Sequence, residues 1–217
     1  MTYTFKGGVH VSEHKNTAKC AIEAMPAPDK VCIPLSQHIG VPAKALVKKG
    51  DPVLRGQAIG IVESGLGCPV HSSVSGTVVD IRERSTPTGA RIQEIIIEND
   101  GLDTLCTDLA PADKPLSEFS PEEIIERVRL AGIAGMGGAT FPSYAKIQSA
   151  LGKVDRLIIN CAECEPFITA NHRLMLERPG EIINGAKILL RAFGLQLAEI
   201  AIEDIITTYF NNSTNII

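Results

Sequence analysis

The fold of the second half of the chain is decided by residues 179–193, Pro-Gly-Glu-Ile-Ile-Asn-Gly-Ala-Lys-Ile-Leu-Leu-Arg-Ala-Phe, which predict its clearest helix. A proline opens this helix and Gly194 stops it. Residues 156–160 and 199–203 are rich in isoleucine, and each run predicts a strand, the first of them buried. A strand, a helix and a strand at this spacing indicate a parallel α/β unit. The apolar face of the helix comprises Ile182, Ile183, Ala186, Leu189, Leu190 and Phe193.

Another capped helix and a glycine-rich loop precede that unit. Ser120 and Glu123 have the spacing of a capping box, with Pro121 at the first helical position. The predicted helix ends at Gly132, and a second short helix is predicted over residues 143–151. Ile124, Ile125 and Val128 form the buried stripe of the first helix.

The loop between these helices, residues 132–142, reads Gly-Ile-Ala-Gly-Met-Gly-Gly-Ala-Thr-Phe-Pro. Glycine permits positive φ and close approach of another group. Such a loop in front of a helix presents free N–H groups and a partial positive charge, which favour phosphate. Its spacing matches neither G-x-G-x-x-G nor a Walker A loop. Two interpretations stay open: the phosphate site of a nucleotide or flavin, or a tight turn that packs closely.

A polar segment follows the strand predicted over residues 156–160. Ligands of open α/β sheets bind beyond the carboxyl ends of the strands, where Asn160, Glu163 and Glu165 lie. These side chains could hold ribose or flavin polar atoms, although capping of the next helix is favoured when the segment is considered alone. Cys161 and Cys164 form a C-x-x-C pair. Ordinary thiols are favoured over a metal site, because no second ligand pair is visible.

Residues 31–98 predict a compact all-β module. A turn is predicted at residues 49–53, and this turn with Gly56 and Gln57 is echoed about twenty residues later by residues 75–78, as in the barrel-sandwich hybrid fold of lipoyl and biotinyl carriers. The connecting hairpin, residues 63–71, contains no lysine, so a carrier function is disfavoured. The predicted strands cover residues 31–34, 58–62, 76–81 and 92–98, and a polar connector covers residues 99–119.

Composition narrows the class of protein. The net charge of −4 and the absence of tryptophan argue against nucleic-acid binding. No apolar run approaches the roughly 20 residues of a membrane helix, and the N-terminus lacks the apolar core of a signal peptide. A cytoplasmic protein with free thiols is therefore expected, unless a partner holds it at a membrane. The cysteines do not form the C-x-x-C-x-x-C-x-x-x-C-P run of an iron–sulfur site.

Several longer motifs occur in order along the chain. They are Phe-Lys-Gly-Gly-Val-His (5–10), Ile-Pro-Leu-Ser-Gln-His-Ile-Gly (33–40), Val-His-Ser-Ser-Val-Ser-Gly-Thr-Val (70–78), the glycine loop with Lys146, Ile-Asn-Cys-Ala-Glu-Cys-Glu-Pro-Phe-Ile-Thr-Ala (159–170) and His-Arg-Leu-Met (172–175). With these motifs the chain resembles the RnfC family of the Rnf electron-transport complex from about residue 5 to residue 204. The second half is also similar to the NADH-binding flavoprotein subunit of respiratory complex I.

This resemblance implies an α+β two-domain fold. An N-terminal region with an all-β barrel-sandwich hybrid (residues 1–110, core about 30–98) precedes an incomplete α/β Rossmann-like FMN- and NADH-binding domain (residues 111–204). It also implies a peripheral subunit at the cytoplasmic face of the inner membrane. The partners would be NADH and the other subunits of an NAD:ferredoxin-type oxidoreductase coupled to ion translocation. The implied cofactor-binding residues are Gly135, Gly137, Gly138, Ala139, Phe141, Lys146, Asn160, Glu163 and Glu165, with no metal ligand or catalytic residue. Thr140 stands where the wider flavoprotein group often has glycine.

The end of the sequence departs from the family pattern. The family would continue the α/β domain and then add a small domain and two ferredoxin-type cysteine clusters, whereas residues 205–217 form a divergent tail. We therefore expect a C-terminally truncated subunit without iron–sulfur clusters, inactive in the complete reaction and able to self-associate. The rival hypothesis is a non-catalytic docking module of the same membrane complex.

Overall fold

A computed structural model describes residues 11–86, 89–109, 114–136 and 138–202 of the chain. The chain divides into two compact units. The β-rich unit comprises the described residues of Met25–Val154 together with Arg191–Phe193. The α/β unit comprises residues 11–24, 155–190 and 194–202. Gly137 and the tail over residues 205–217 lie outside the described residues.

The β-rich unit contains two antiparallel sheets. The first has the strand order β1-β7-β6-β3 and the second has the order β2-β4-β5. The strands are β1 (Lys30–Pro34), β2 (Lys44–Ala45), β3 (Pro52–Val53), β4 (Ala58–Ile61), β5 (Val70–His71), β6 (Gly76–Ser85) and β7 (Arg91–Asn99).

Both sheets contribute to one core. Ile59 of β4 packs in the same buried cluster as Val78 of β6 and Ile95 and Ile97 of β7, and each of these side chains is fully buried. The four strands predicted from sequence are confirmed, and β6 runs four residues further than expected. The two-residue strands β2, β3 and β5 escaped prediction because they are too short to show an alternating pattern.

Gly76 begins β6 at a point where the two longest strands come together. Its φ is +156°, and a Cβ there would lie 1.9 Å from the carbonyl oxygen of Glu98 in β7. A side chain at this position would push β6 and β7 apart, so the backbone approach requires glycine. The neighbouring turn is fixed by hydrogen bonds from Gly50 N to Val78 O (2.7 Å) and from Val78 N to Asp51 O (2.9 Å).

Two helices complete the β-rich unit. Helix α1 (Pro121–Leu130) has the predicted capping box, with Ser120 and Glu123 each bonding the other's backbone N–H. Ile124 and Ile125 are buried as expected, whereas Val128 is half-buried. Helix α2 (Ser143–Ala150) also appears where it was predicted.

The α/β unit contains the predicted parallel pair of strands. Strand β8 (Leu157–Asn160) pairs in parallel with β9 (Ala198–Ala201), and helices α3 (Ala170–Glu177) and α4 (Pro179–Phe193) lie between them in sequence. The bounds of α3 were not predicted from the sequence. The expectation of a buried strand is wrong, because Ile158 of β8 is 55% exposed. Only one face of the strand is covered: Ile159 packs with Met175 of α3, while the alternate residues face away.

No helix in the described parts of the chain has both the length and the apolar character that a membrane span requires.

Candidate functional site

The glycine loop, residues 132–142, belongs to the β-rich unit and joins α1 to α2. It begins at Gly132, whose φ is +67°. A Cβ at this position would lie 2.6 Å from the carbonyl oxygen of Pro69 and 3.0 Å from the imidazole of His71. Burial lowers the pKa of His71, against an opposing hydrogen bond to the backbone of Leu130. At Gly132, the first residue of the loop, the structure therefore agrees with the interpretation as a tight, closely packed turn.

The middle of the loop has different surroundings. Gly135 N donates to Phe141 O (2.9 Å) and Ser143 N donates to Ile133 O (2.9 Å), so the two ends of the loop are held together. Between them Met136 is 99% exposed. Gly138 has a φ of +96° and no atom within 4 Å of the place where a Cβ would stand. The tip of the loop, Met136 and Gly138, is therefore exposed, and the loop ends on either side of it are hydrogen-bonded to each other.

The following residues carry the loop into α2. Ala139 is exposed, and Thr140 adopts a left-handed φ of +46°, which is uncommon outside glycine. The Thr140 carbonyl accepts a hydrogen bond from Ile39 N at 3.2 Å, which ties the loop to the β-rich unit. Phe141 is 38% exposed and Pro142 is buried. A partly open aromatic ring thus stands directly before the helix.

Helix α2 offers a cation and an uncapped N-terminus. Pro142 precedes the helix, and no side chain caps it. Lys146 lies in the first turn and is exposed. Within the described parts of the chain, Lys146 forms no salt bridge with a carboxylate. Ser143 N is already bonded to Ile133 O, but no side chain caps the helix, so its N-terminus and the Lys146 ammonium group together suit an anion.

The acidic segment, residues 160–168, belongs to the α/β unit and follows β8. Asn160 is exposed, and its side-chain oxygen accepts a hydrogen bond from Ala162 N at 3.1 Å, which turns the chain away from the strand. Cys161 N donates to Ala201 O of β9 at 2.9 Å. The segment therefore starts at the carboxyl end of the parallel pair, as the sequence predicted.

The two glutamates of this segment have different environments. Glu163 is 3% exposed, and its carboxylate accepts hydrogen bonds from Asn171 N (2.8 Å) and His172 N (3.4 Å) at the start of α3. Of the two interpretations left open for this residue, capping is the contact that the structure contains. Glu165, in contrast, is exposed.

Lys15, which no sequence pattern singled out, makes three hydrogen bonds to the acidic segment. The Lys15 ammonium donates to the carbonyl oxygens of Glu163 (2.6 Å), Glu165 (2.8 Å) and Ile168 (2.9 Å). Thr17 Oγ1 and Thr169 Oγ1 are hydrogen-bonded at 2.6 Å. Lys15 lies in a polar stretch without periodicity, so no pattern in the sequence indicated its role.

The cysteine pair of the segment is split between two environments. Cys161 is 7% exposed, and burial raises the pKa of its thiol. Cys164 is exposed. Among the described residues, no group of three or more histidine, cysteine, aspartate or glutamate side chains has a geometry suited to a metal ion.

The predicted site residues therefore fall into two groups, and their binding of a cofactor stays a prediction. The β-rich unit contains Gly135, Gly138, Ala139, Phe141 and Lys146, and the α/β unit contains Asn160, Glu163 and Glu165. Gly137 lies outside the described residues.

Two known domain families match the chain. The RnfC barrel sandwich hybrid domain matches residues 3–102, and the Nuo51 FMN-binding domain matches residues 128–217. The first match confirms the barrel-sandwich hybrid prediction and agrees with the two sheets that share one core. The second range contains both the glycine loop and the acidic segment, and it supports FMN as the predicted cofactor.

Curated relatives match nearly the whole chain, and all three named here are the C component of an oxidoreductase complex. The chain is 40% identical over 203 residues to that of the Na⁺-translocating ferredoxin:NAD⁺ oxidoreductase complex of Acetobacterium woodii, covering 93% of this chain and 46% of the relative. It is 41% identical over 206 residues to the C subunit of the proton-translocating ferredoxin:NAD⁺ oxidoreductase complex of Clostridium ljungdahlii, and the match covers 94% of this chain and 45% of the relative. It is 43% identical over 205 residues to the C subunit of the ion-translocating oxidoreductase complex of Haemophilus influenzae, and the match covers 93% of this chain and 31% of the relative.

The chain thus spans less than half the length of these relatives. Within that span the two matched domains occur in the order that the sequence motifs predicted. Over the aligned residues, the chain is therefore similar to the RnfC component of ion-translocating oxidoreductase complexes.

Proposed function

We propose that this chain binds FMN and NADH as part of the RnfC component of a membrane-associated NAD:ferredoxin-type oxidoreductase coupled to ion translocation. One observation carries the proposal: the match to an FMN-binding domain over residues 128–217 includes a glycine loop in which Met136 and Gly138 are exposed. The proposal extends to this chain what the names of its relatives state of them.

The glycine loop suits the phosphate of FMN. The space beside Gly138 is open, so a ligand can approach the backbone there without meeting a side chain. The uncapped start of α2 provides N–H groups, and Lys146 provides a cation for a doubly charged phosphate. We assign the phosphate to Gly135, Gly137, Gly138, Ala139 and Lys146.

The acidic segment suits the hydroxyl groups of the cofactors. Exposed Asn160 and Glu165 offer an amide and a carboxylate, which accept hydrogen bonds from sugar hydroxyls. Glu163 remains in the proposed set, with its carboxylate shared with the N-terminus of α3. The half-open ring of Phe141 is proposed as a wall for the flavin ring.

When bound, FMN would supply the redox chemistry: it accepts a hydride and releases the two electrons one at a time. The residues of this chain contribute binding, orientation and exclusion of water. An Asn–Glu pair fixes a ribityl or ribose chain in one orientation, because amide and carboxylate groups accept hydrogen bonds in defined directions. In the β-rich unit, Lys146 and the N–H groups of α2 would hold the phosphate.

Titration of the purified chain with FMN tests this proposal. We expect saturable quenching of flavin fluorescence at micromolar protein. Gly138→Val should weaken binding by at least about tenfold, because it places a branched side chain where the phosphate would approach. Gly152→Val is the matched control, since Gly152 has a φ of +67°, open surroundings and a position past the other end of α2. Equal weakening by both variants, or no binding by the wild type, would refute the assignment.

The finer features of the prediction are also part of the proposal. We propose a Rossmann-like topology for the α/β domain, a cytoplasmic location at the inner membrane, and contacts with the other subunits of the complex. Self-association of the isolated chain is proposed because Ile158 leaves an apolar face of β8 open. Sedimentation velocity should then show oligomers whose proportion rises with concentration; a monomer at all concentrations would exclude this.

A docking module without bound flavin is the second candidate function. It is favoured by the β-rich unit, which has its own buried core and its own match to the RnfC barrel sandwich hybrid domain. A colourless chain that still pulls down membrane subunits would support docking alone. A yellow chain with one FMN per protein would support the first proposal.

A further inference from the structure

The N-terminal strap, residues 13–22, is fastened to the acidic segment by a cage of carbonyl groups. The three N–H donors of the Lys15 ammonium group have three partners, the carbonyl oxygens of Glu163, Glu165 and Ile168, at 2.6, 2.8 and 2.9 Å. Hydrogen bonds from a cation are stronger than neutral ones. One side chain therefore fixes three points along six residues of the acidic segment.

Removal of this ammonium group would leave an unfavourable arrangement. Three carbonyl dipoles point their negative ends towards the same place, where only a donor or a cation can stabilise them. The peptide groups are trans, so a carbonyl that faces Lys15 turns the N–H of the next residue the other way. Lys15 thereby also sets the direction of the Cys164 N–H, on an exposed residue of the segment.

Contacts beside Lys15 hold the same segment in a strained conformation. Phe167 N donates to Glu13 O at 2.7 Å, and the rings of His14 and Phe167 stack with centroids 5.0 Å apart. His14 and Phe167 both have left-handed φ values, +49° and +69°. Such values are uncommon for residues with side chains and persist only where the surroundings enforce them.

We propose that Lys15 is a positioning residue of the cofactor site: its ammonium group holds the acidic segment in the shape that presents Glu165 to the cofactor. This inference rests on the proposed function, since it assumes that the acidic segment binds FMN or NADH. Lys15 itself contacts only the backbone of the segment, so it acts through that segment.

The test compares Lys15→Met with Lys19→Met in the full chain. Lys19 is exposed and lies four residues further along the strap, so its substitution removes the same charge without opening the carbonyl cage. FMN affinity should fall by about tenfold in Lys15→Met and stay unchanged in Lys19→Met, the size expected for lost charge-assisted hydrogen bonds. Hydrogen exchange should accelerate at residues 163–168 in Lys15→Met and stay unchanged in β7.

Two further readouts separate positioning from simple anchoring of the N-terminus. Visible circular dichroism of the flavin at saturating FMN reports the surroundings of its ring, and it should change in Lys15→Met. In Lys15→Ala, n-propylammonium should restore affinity, because it replaces the missing part of the side chain and can donate to the three carbonyls. Tetramethylammonium, which has the same charge and no donor, should not.

The outcomes distinguish this inference from the proposed function. If the wild-type chain binds no FMN, the proposed function fails and the positioning role fails with it. If the wild type and Lys15→Met bind FMN with equal affinity and equal circular dichroism, only the inference about Lys15 is wrong.

Discussion

Each of the two units is stabilised internally by a different kind of interaction. The β-rich unit has a cluster of ten buried apolar residues, several of them with no exposed surface. Among the described residues, the corresponding cluster of the α/β unit has two buried members, Cys161 and Met175. Instead, the α/β unit uses polar contacts, such as those of Lys15 and Arg173. Burial of a large aliphatic side chain contributes roughly 1.5–3 kcal/mol, so apolar packing dominates the first unit and hydrogen bonds carry more of the second.

This difference bears on function. Exposed, polar segments with few apolar contacts open locally more easily than packed strands. A binding segment built in this way adjusts to a ligand, whereas a packed sandwich provides a fixed base. The glycine loop combines both properties, because its ends are bonded to the β-rich unit and its tip is exposed.

The largest expected effect is on the core of the β-rich unit. Ile59→Ala removes a side chain with no exposed surface and should lower the free energy of unfolding by about 2–5 kcal/mol. Ile158→Ala in the α/β unit is the control, because Ile158 is 55% exposed and its loss should cost less than about 0.5 kcal/mol. Urea denaturation, with hydrogen exchange followed in each unit, measures both. Similar losses would contradict the contrast between the units.

A smaller effect is expected from a polar contact of the α/β unit. Arg173 donates to Glu177 Oε1 at 2.9 Å and to Ala18 O at 3.2 Å, and its side chain is 18% exposed. Arg173→Met should lower the free energy of unfolding by about 1–2 kcal/mol. Arg178→Met is the control, because Arg178 is 54% exposed and lies 3.9 Å from its carboxylate partner. Equal effects of the two variants would show that the buried contact is not important.

The capping box of α1 should contribute about 1 kcal/mol. Ser120→Ala removes the acceptor of the Glu123 N–H, which lies 3.2 Å away, and leaves an N-terminal amide without its partner. Ser117→Ala, at an exposed serine just before the helix, should have no measurable effect. Thermal denaturation compares the two. An unchanged melting temperature in Ser120→Ala would mean that water replaces the cap at no cost.

The smallest effect concerns pH. Burial lowers the pKa of His71, so the unfolded chain takes up a proton at a higher pH than the folded chain does. The free energy of unfolding should therefore fall as the pH decreases through about 6.5, the usual pKa of histidine. Urea denaturation at a neutral and an acidic pH measures this fall. In His71→Gln the free energy of unfolding should fall less between the two pH values. A fall as large as that of the wild type would exclude His71 as the cause.

The sequence predicted the features that depend on neighbouring residues. Three kinds of feature were recognisable: the capping box at Ser120 and Glu123, the four longer strands of the β-rich unit, and the helix over residues 179–193. Each depends on a pattern of residues that lie close together in the sequence. The parallel pairing of β8 and β9 followed from their spacing around that helix.

Features that depend on distant residues could not be predicted. Lys15 bonds to carbonyl groups 148 to 153 residues away, and any lysine can donate to any carbonyl. Glu163 could cap a helix or bind a ligand, and only its burial against α3 distinguished these roles. The exposure of Ile158 likewise depends on what covers the sheet rather than on its own sequence.

The proposed function assigns both the glycine loop and the acidic segment to cofactor binding. Hydrogen exchange of the full chain, with and without saturating FMN, is the decisive measurement. We expect slower exchange at residues 135–141 and at residues 160–165, with β7 unchanged. Binding of FMN that protects neither segment, or only one of them, would show that the proposed site is wrong.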